Sequence, residues 1–398
     1  MTLSPDTLLA ACGDDADEAG LLLTAELQPL GGPGTPVKPA TYAGGSYQRD
    51  RRWVGEDGAR QVADVVVIDN PPSQANRLEA QLERLAADLG LPNLVLDLAG
   101  HPLPAHLSKT LSAFRFPHRS ADAYLRDSTL DGVDFSKTDL GRRIRDATAD
   151  NPSALLEWFP QALVFGFWQS HLGKKGSQAK LARSWVSEII GIRPATDELR
   201  VLGVKGDPLN LSGDDRIVFD EDDHSQWELR EGEKKSTPVK GQKAESLSRI
   251  GHGQVPFKES ELTLGPLSFE RVVQHSSLSF AALRRVWVGS PRENAAARAL
   301  LVALGLVAHT AAFGRPFSLR SGCELRAKAT TWTWLGGSAD VDIDVLDVSG
   351  ASALFHAVVG IAETAGLPVG THWRTDPLVL RPNVQLSKAI AATYPVVD

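Results

Sequence analysis

The segment between residues 62 and 89 constrains the fold most, because its pattern changes from strand-like to helix-like within a few residues. A largely apolar run, VADVVVI, fills positions 62–68. Such a run, bounded by turn residues, is typical of a buried strand. Leucines then recur with helical spacing, at Leu78, Leu82, Leu85 and Leu89. The chain is therefore predicted to pass directly from a buried strand into an amphipathic helix.

The turn between that strand and that helix, NPPSQANR at 70–77, is rich in hydrogen-bonding groups. Asn70 before Pro71 predicts a helix N-cap with proline at the first helical position. The free N–H groups and the dipole of a helix start also attract phosphate. The neighbouring donors that could add to such a site are Ser73, Gln74, Asn76 and Arg77. From these residues alone capping is favoured over ligand binding, and both interpretations stay open.

Positive charge is concentrated in a few places although the protein as a whole is acidic. The formal net charge is −7, so a binding site for a polyanion must come from local clusters. Three clusters stand out: Arg115, Arg119 and Arg126 with His118; Lys174, Lys175, Lys180 and Arg183; and Arg315, Arg320, Arg326 and Lys328. One such cluster alone is most often ordinary surface, but three in an acidic protein favour a groove of the kind that binds single-stranded nucleic acid.

The cysteines and the hydropathy pattern predict a cytoplasmic protein without a membrane partner. Cys12 and Cys323 are the two cysteines of the sequence, too few for a disulfide framework. The stretch LLAAC at 8–12 resembles a lipoprotein cleavage box but lacks a basic region before it. No apolar run reaches the ~18 residues that a membrane-spanning helix needs.

The order of the remaining elements is mixed, which favours an α+β fold over a regular doubly wound sheet. Residues 162–168 are predicted as a buried strand or a bend at Gly166, and the polar region 204–260 as an inserted, mobile arm. The other predicted elements are strands at 21–30, 91–98, 324–335 and 339–348, and helices at 293–314 and 351–366.

Two sets of residues could support catalysis. Asp340, Asp342 and Asp344 alternate along a predicted strand and could hold magnesium on one face. The same alternation is typical of a solvated outer face with the intervening apolar residues, 341, 343 and 345, packed inward, and that interpretation is preferred. His118 near Asp122 could act in acid–base chemistry, but no nucleophile lies nearby in the sequence.

Seven ordered stretches of the sequence resemble one known family. They are LGGPGTPVKPATYAGG, VVVIDNPPSQANRLE, FPHRSADAYLRDS, ALVFGFWQS, SRIGHGQVPF, LSFAALRRVWV and LRSGCEL. Together they are similar to the Cas seven-type backbone subunit of the type I-G (formerly I-U) CRISPR effector complex, Cascade, a member of the RAMP superfamily. The resemblance extends from about residue 20 to about residue 330, and the stretches containing SQANR and FPHRSADAYLRDS are its most specific parts.

The resemblance implies a modified RRM-like, ferredoxin-like palm with inserted finger and thumb elements. This palm would be a single domain over residues 20–398. A finger-type insertion is expected at about 108–185, a thumb-like mobile insertion at about 204–260, and a flexible N-terminus at 1–19.

The resemblance also implies a function without catalysis, cofactor or metal. The protein would bind CRISPR guide RNA (crRNA), stack with copies of itself into a helical filament, and contact target DNA through the guide. Its other partners would be the large subunit and a Cas five/six-type subunit. The residues expected to bind RNA are Ser73, Gln74, Asn76, Arg77, Arg115, His118, Arg119, Arg126, Lys174, Lys175, Lys180, Arg183, Arg249, His252, Gln254 and Arg320. The alternative is a RAMP-type endoribonuclease that processes CRISPR RNA, or a metal-dependent nuclease.

Overall fold

The computed structural model describes residues 1–42, 45–55, 58–169, 179–196, 200–201, 209, 216–221, 223–229, 245–251, 263–373 and 376–394. The helices are α1 (Pro5–Ala11), α2 (Pro71–Leu89), α3 (Ala123–Arg126), α4 (Asp139–Arg145), α5 (Ser153–Trp158), α6 (Pro160–Phe165), α7 (Phe280–Leu283), α8 (Pro291–Phe313), α9 (Val348–Thr364) and α10 (Val384–Thr393).

The strands of the described residues are β1 (Gly20–Pro29), β2 (Thr41–Tyr42), β3 (Ser46–Tyr47), β4 (Arg49–Val54), β5 (Gln61–Asp69), β6 (Leu94–Asp97), β7 (Thr110–Ser112), β8 (Ser128–Leu130), β9 (Val133–Asp134), β10 (Phe167–Trp168), β11 (Lys180–Leu181), β12 (Trp185–Pro194), β13 (Arg200–Val201), β14 (Arg216–Phe219), β15 (Trp227–Leu229), β16 (Glu245–Ser246), β17 (Thr263–Leu264), β18 (Phe269–Ser279), β19 (Phe317–Arg320), β20 (Cys323–Leu335), β21 (Asp340–Ile343) and β22 (Leu378–Pro382). The predicted α+β class is confirmed.

An antiparallel sheet in the order β19-β20-β1-β18-β12-β5-β4 organises the larger part of the chain, with β21 paired to β20. Along β1 the residues Leu21, Leu23, Ala25 and Leu27 are buried, while Leu22, Thr24 and Glu26 between them are partly exposed. This alternation is expected where one face of an antiparallel sheet packs on helices. A smaller sheet has the order β7-β6-β22-β8-β9, in which β6 and β22 are parallel.

Helix α8 is the centre of the core, and α1, α2, α6 and α9 pack against it. It begins with a capping box, in which Ser290 and Glu293 satisfy each other's backbone N–H groups. A Cβ atom at Gly305 would lie 2.7 Å from the ring of Trp185, so only glycine admits this buried tryptophan. By length and composition α8 could cross a membrane, but 89% of its most apolar window is buried inside the protein, as in the core helix of a folded domain.

Helix α2 confirms the prediction made from residues 62–89. Asn70 is the N-cap, and its side chain accepts a hydrogen bond from the Ser73 N–H at 3.1 Å. The buried stripe contains Leu78 and Leu82 and faces α8 and β12. The helix ends at Gly90, whose left-handed backbone (φ 64°) suits glycine.

The chain divides into two compact units. One comprises residues 1–40, 49–194 and 268–398; the other comprises residues 41–48 and 195–267. The second unit contains the paired strands β2-β3 and β13-β17 and the sheet β15-β14-β16. The thumb-like insertion expected at about 204–260 falls in this second unit, and much of it lies outside the described residues. Its boundaries, and those of the finger-type insertion, stay predictions.

The first nineteen residues differ from the flexible N-terminus that was expected. They contain α1, which Ser4 caps by accepting from the Thr7 N–H at 3.1 Å. Leu8 is fully buried and α1 packs on α8. Burial also raises the pKa of the Cys12 thiol to about 12. Leu3, Leu8, Ala11 and Cys12 therefore form part of the core.

Two shorter predictions also need correction. Residues 160–165 form α6 rather than a strand, and the bend at Gly166 (φ 77°) then leads into the short strand β10. In β21 only Ile343 packs inward, whereas Val341 and the following Val345 are exposed. The inward alternation expected there fails because β21 is a short edge strand, paired only with β20 among the described strands.

Candidate nucleic-acid interface

A buried carboxylate organises the start of α2. Asp69 ends β5 with no exposed surface, and its oxygens accept hydrogen bonds from the side chains of four residues. These donors are Ser73 Oγ at 2.9 Å, Gln74 Nε2 at 2.6 Å, Arg77 Nε at 2.9 Å and Arg320 Nη2 at 2.8 Å. We call these five residues the Asp69 cluster. One carboxylate and two guanidinium groups leave the cluster with a net positive charge.

The Asp69 cluster changes the interpretation of the turn at 70–77. Three of the four donors expected to grip phosphate there point at Asp69 instead. Arg77 and Arg320 keep only 28% and 24% of their side chains exposed. Arg77 also donates to the Leu319 carbonyl, and Arg320 to the carbonyls of Lys38 and Ile68. Both guanidinium groups are thus fixed mainly by internal acceptors, as a buried carboxylate requires.

Asn76, the fourth of those donors, is exposed on α2 outside the cluster. Asp69 itself was not singled out in the sequence. The signal that could have found it is an acidic residue closing an apolar strand immediately before a helix cap.

Gln74 extends the cluster into a buried polar network beneath α2. Its Oε1 accepts from Ser187 Oγ at 2.8 Å and from Gln274 Nε2 at 2.9 Å. The hydroxyl groups of Ser187 and Ser276 form a hydrogen bond, with their Oγ atoms 2.8 Å apart. Each of these four side chains is buried, so the network ties α2 to β12 and β18 through hydrogen bonds as well as apolar contacts.

Arg119, expected to line an RNA groove, is instead a buried ion-pair residue. Its guanidinium donates to both oxygens of Glu79 at 2.7 Å and to the Gly166 carbonyl at 3.0 Å. It also lies 5.8 Å from the ring centre of Phe165. Burial raises the pKa of Glu79, while the charge and hydrogen bonds of Arg119 oppose that shift. The side chain therefore supports α2 from inside.

A groove of about 570 Å³ runs along the exposed side of α2. Asn76, Ala80 and Arg84 line it from the helix, and Arg115 lines it from the segment 114–117. We call it the α2 groove. Arg115 is 58% exposed and donates to both oxygens of Glu83, whereas Arg84 has no hydrogen-bond or ion-pair partner among the described residues. The sequence reasoning missed Arg84, although it lies one turn beyond Ala80 on the polar side of the helix.

The other expected RNA-binding residues are dispersed. Arg126 pairs with its neighbour Asp127, and His118 and Lys180 are exposed. Partial burial, and then the charge of Arg119, lower the pKa of Arg183, which places Arg183 near the Glu79–Arg119 pair. Arg249 is exposed in the second unit. Four of the expected residues lie outside the described residues: Lys174, Lys175, His252 and Gln254.

The geometry gives little support to the two alternative catalytic sites. Asp122 uses its two oxygens to accept the backbone N–H groups of His118 and Tyr124, so it acts as a cap. Thr2 donates to Asp344, and the backbone carbonyl of Asp342 accepts from the N-terminal amino group. Within the part of the chain that the structure describes, no three acidic, histidine or cysteine side chains are grouped as metal ligands.

Residues 21–194 match the family described as CRISPR-associated protein GSU0053. The matched segment runs from β1 through β12, and it contains Asp69, α2, the α2 groove and the Glu79–Arg119 pair. The match supports a CRISPR-associated protein with a role in CRISPR defence, and thus an involvement with effector machinery and guide RNA in general. No curated protein matches the chain.

Proposed function

We propose that this protein is a guide-RNA-binding backbone subunit of a type I-G Cascade complex. In this role it binds the guide without cutting it and supports recognition of target DNA through RNA–DNA pairing. The match to a CRISPR-associated family over residues 21–194 and the ordered motifs from about residue 20 to about residue 330 support this assignment.

The connectivity of the main sheet is the structural observation that carries the proposal. The strands β20-β1-β18-β12 lie side by side, all antiparallel. In chain order they are the fourth, first, third and second strands of a β-α-β-β-α-β unit, with α2 and α8 as its helices. This is the order of a ferredoxin-like fold. It supports an RRM-like palm to which the hairpin β4-β5 adds an edge.

The α2 groove is the surface that we assign to the RNA backbone. Arg84 and Arg115 provide exposed positive charge at its rim, and Asn76 provides a neutral donor. The Asp69 cluster lies at the N-terminal end of the same helix and adds a net positive charge that is partly exposed. Contacts to phosphate by these groups would be independent of base sequence, as a subunit that binds any guide requires.

The remaining parts of the proposal concern assembly. Copies of the protein would stack along one guide RNA into a helical filament, with the large subunit and a Cas five/six-type subunit as further partners. We infer a cytoplasmic location, in keeping with Cys12 and Cys323, which are both free and buried.

The test is expression of the full chain with and without a CRISPR repeat–spacer array, followed by sequencing of the RNA that copurifies. We expect array-derived RNA to copurify and the protein to elute as a multimer only when the array is present. A monomeric protein that carries no RNA and does not bind purified guide RNA would refute the proposal.

A cleavage assay on labelled repeat RNA separates the alternative functions. Cleavage that His118→Ala abolishes would replace the proposal with an endoribonuclease. Magnesium-dependent cleavage that Asp342→Asn abolishes would replace it with a metal-dependent nuclease. We expect the RNA to stay intact with and without magnesium, and the protein to bind it.

A further inference from the structure

Trp168 holds its indole ring in solvent on the short hairpin that β10 and β11 form. The residue is 60% exposed, although tryptophan is mostly buried in folded proteins. In the register of the hairpin, Phe167 and Leu181 are the buried pair, and Trp168 and Lys180 are the exposed pair. Directly opposite residues of antiparallel strands share a face, with Cβ atoms about 5 Å apart. The indole ring and the ammonium group of Lys180 therefore lie side by side on the accessible face.

Backbone hydrogen bonds on both sides of Trp168 fix the position of its ring. The Gln169 N–H donates to the Ala179 carbonyl at 2.8 Å, and the Ser184 N–H donates to the Val164 carbonyl at 3.0 Å. The hairpin is thus held at the end of α6, whose residues are part of the core. An aromatic ring on such a support can bind a flat ligand without first having to be ordered.

The hairpin borders the α2 groove. Arg119 donates to the Gly166 carbonyl at 3.0 Å and also pairs with Glu79, which lines the groove. Arg183 is exposed, and the charges of Arg119 and Glu79 both act on its guanidinium, so it lies close to that pair. In the part of the chain that the structure describes, neither Lys180 nor Arg183 has a hydrogen-bond or ion-pair partner. Two accessible cations thus lie beside the ring and next to the groove.

Two other exposed tryptophans of the larger unit have a different setting. Trp53 is 69% exposed on β4, but its neighbour Arg52 is held by acidic side chains of β4 and β12. Trp287 is 47% exposed, and the guanidinium of Arg298 lies 5.4 Å from the centre of its ring. Trp168 therefore differs from both in combining an open ring with accessible cations.

We propose that Trp168 is the platform on which one base of the guide RNA stacks, with Lys180 and Arg183 contacting the phosphates beside that base. This inference rests on the proposed function, since the stacked base belongs to the strand whose backbone lies in the α2 groove. Base–aromatic stacking together with a basic groove is how proteins bind single strands without reading their sequence. The contact therefore suits a subunit that binds any guide.

Equilibrium binding of the RNA-free full chain to a short single-stranded RNA of mixed sequence tests the platform. Trp168→Ala should weaken binding roughly tenfold, and Trp168→Phe, which keeps an aromatic face, should restore most of that loss. Stacking neutralises no phosphate, so the slope of log K against log salt should stay unchanged in Trp168→Ala. Lys180→Ala should instead reduce that slope by about one.

An abasic RNA strand of the same length isolates the stacking contact, because it keeps the phosphates and lacks the bases. Trp168→Ala should bind the abasic strand as tightly as the wild-type protein does. Trp53→Ala is the matched control, because it removes an equally accessible tryptophan that does not line the α2 groove. It should bind both strands like the wild-type protein. Thermal unfolding of each variant checks that the fold is retained, as expected for exposed side chains.

The outcomes distinguish this inference from the proposed function. Wild-type affinity in Trp168→Ala, an equal loss in Trp53→Ala, or an equal loss on the abasic strand would overturn the platform and leave the guide-binding subunit standing. A tenfold loss confined to the strand with bases, in a protein that recovers no array-derived RNA on coexpression, would overturn the proposed function alone. A wild-type protein that binds no single-stranded RNA would overturn both.

Discussion

Two arginine–glutamate pairs lie one turn apart on the same side of α2, and they illustrate how differently one kind of contact can be used. Glu79 and Arg119 are 4% and 11% exposed and form a buried bidentate pair. Glu83 and Arg115 are 22% and 58% exposed and line the α2 groove. The inner pair stabilises the fold, while the outer pair leaves its arginine open to a ligand. Burial, and not residue type, separates cations that are held inside the fold from cations that stay accessible.

The largest expected effect concerns the most completely buried charge. Asp69→Ala should lower the free energy of unfolding by about 5 kcal/mol, because two arginines and two neutral donors lose their shared acceptor. Urea denaturation measures the change. Asp64→Ala, an exposed carboxylate on the same strand, is the control and should cost less than about 1 kcal/mol. Equal effects of the two variants would show that the Asp69 cluster does not stabilise the fold.

The next largest difference in stability is expected between variants of the inner arginine, Arg119, and the outer arginine, Arg115. Arg119→Ala leaves the Glu79 carboxylate buried without its partner, and we expect a loss of about 3–4 kcal/mol. Arg115→Ala should cost no more than about 1 kcal/mol, as exposed pairs do. Thermal and urea unfolding of both variants measure the difference. The comparison fails if the two arginines prove equally important for stability.

His309 provides the contrasting case of a buried ionisable group that has no charged partner among the described residues. Burial lowers its pKa from 6.5 to about 4, so the unfolded chain takes up a proton more readily than the folded protein. The contribution of neutral His309 is complete above pH 6.5 and is lost as the pH falls toward 4, by about 3 kcal/mol. Unfolding at several pH values should show this loss. The loss should be smaller in His309→Gln, and an unchanged pH dependence would exclude His309 as its source.

The variants with the smallest expected effect on stability should have the clearest effect on guide-RNA binding. Arg84→Ala and Arg115→Ala should each weaken guide-RNA binding several-fold and reduce the slope of log K against log salt by about one, with little change in stability. Arg285→Ala, an exposed arginine outside the α2 groove, is the control. Unchanged salt slopes in folded variants would remove both residues from the interface.

The local elements could be predicted because their signals lie within a few residues. The run at 62–68 and the leucine spacing after it predict β5 and α2, and Asn70–Pro71 predicts the cap. The core helix α8 and the strand β20 follow from equally local patterns. The fate of 162–165 could not be predicted in this way, since a short apolar run fits a strand and a buried helix equally well.

The site was predicted less well because its charges pair over long distances. Ser73, Gln74 and Arg77 were correctly grouped, but their shared partner Asp69 changes what they do. Arg115 and Arg119 belong to one motif, yet only Arg115 lies in the α2 groove.

The sequence by itself determined the strand-to-helix unit at 62–89, the capping of α2 and the core helix α8. Each depends on hydrophobic periodicity and on backbone groups satisfied within one or two turns. Only the tertiary structure decided which arginines are held in buried ion pairs and which stay accessible. Arg119 meets Glu79 across 40 residues, and Arg320 meets Asp69 across 251. A buried carboxylate pairs with the cation that the fold places beside it. No local sequence pattern indicates which cation that is.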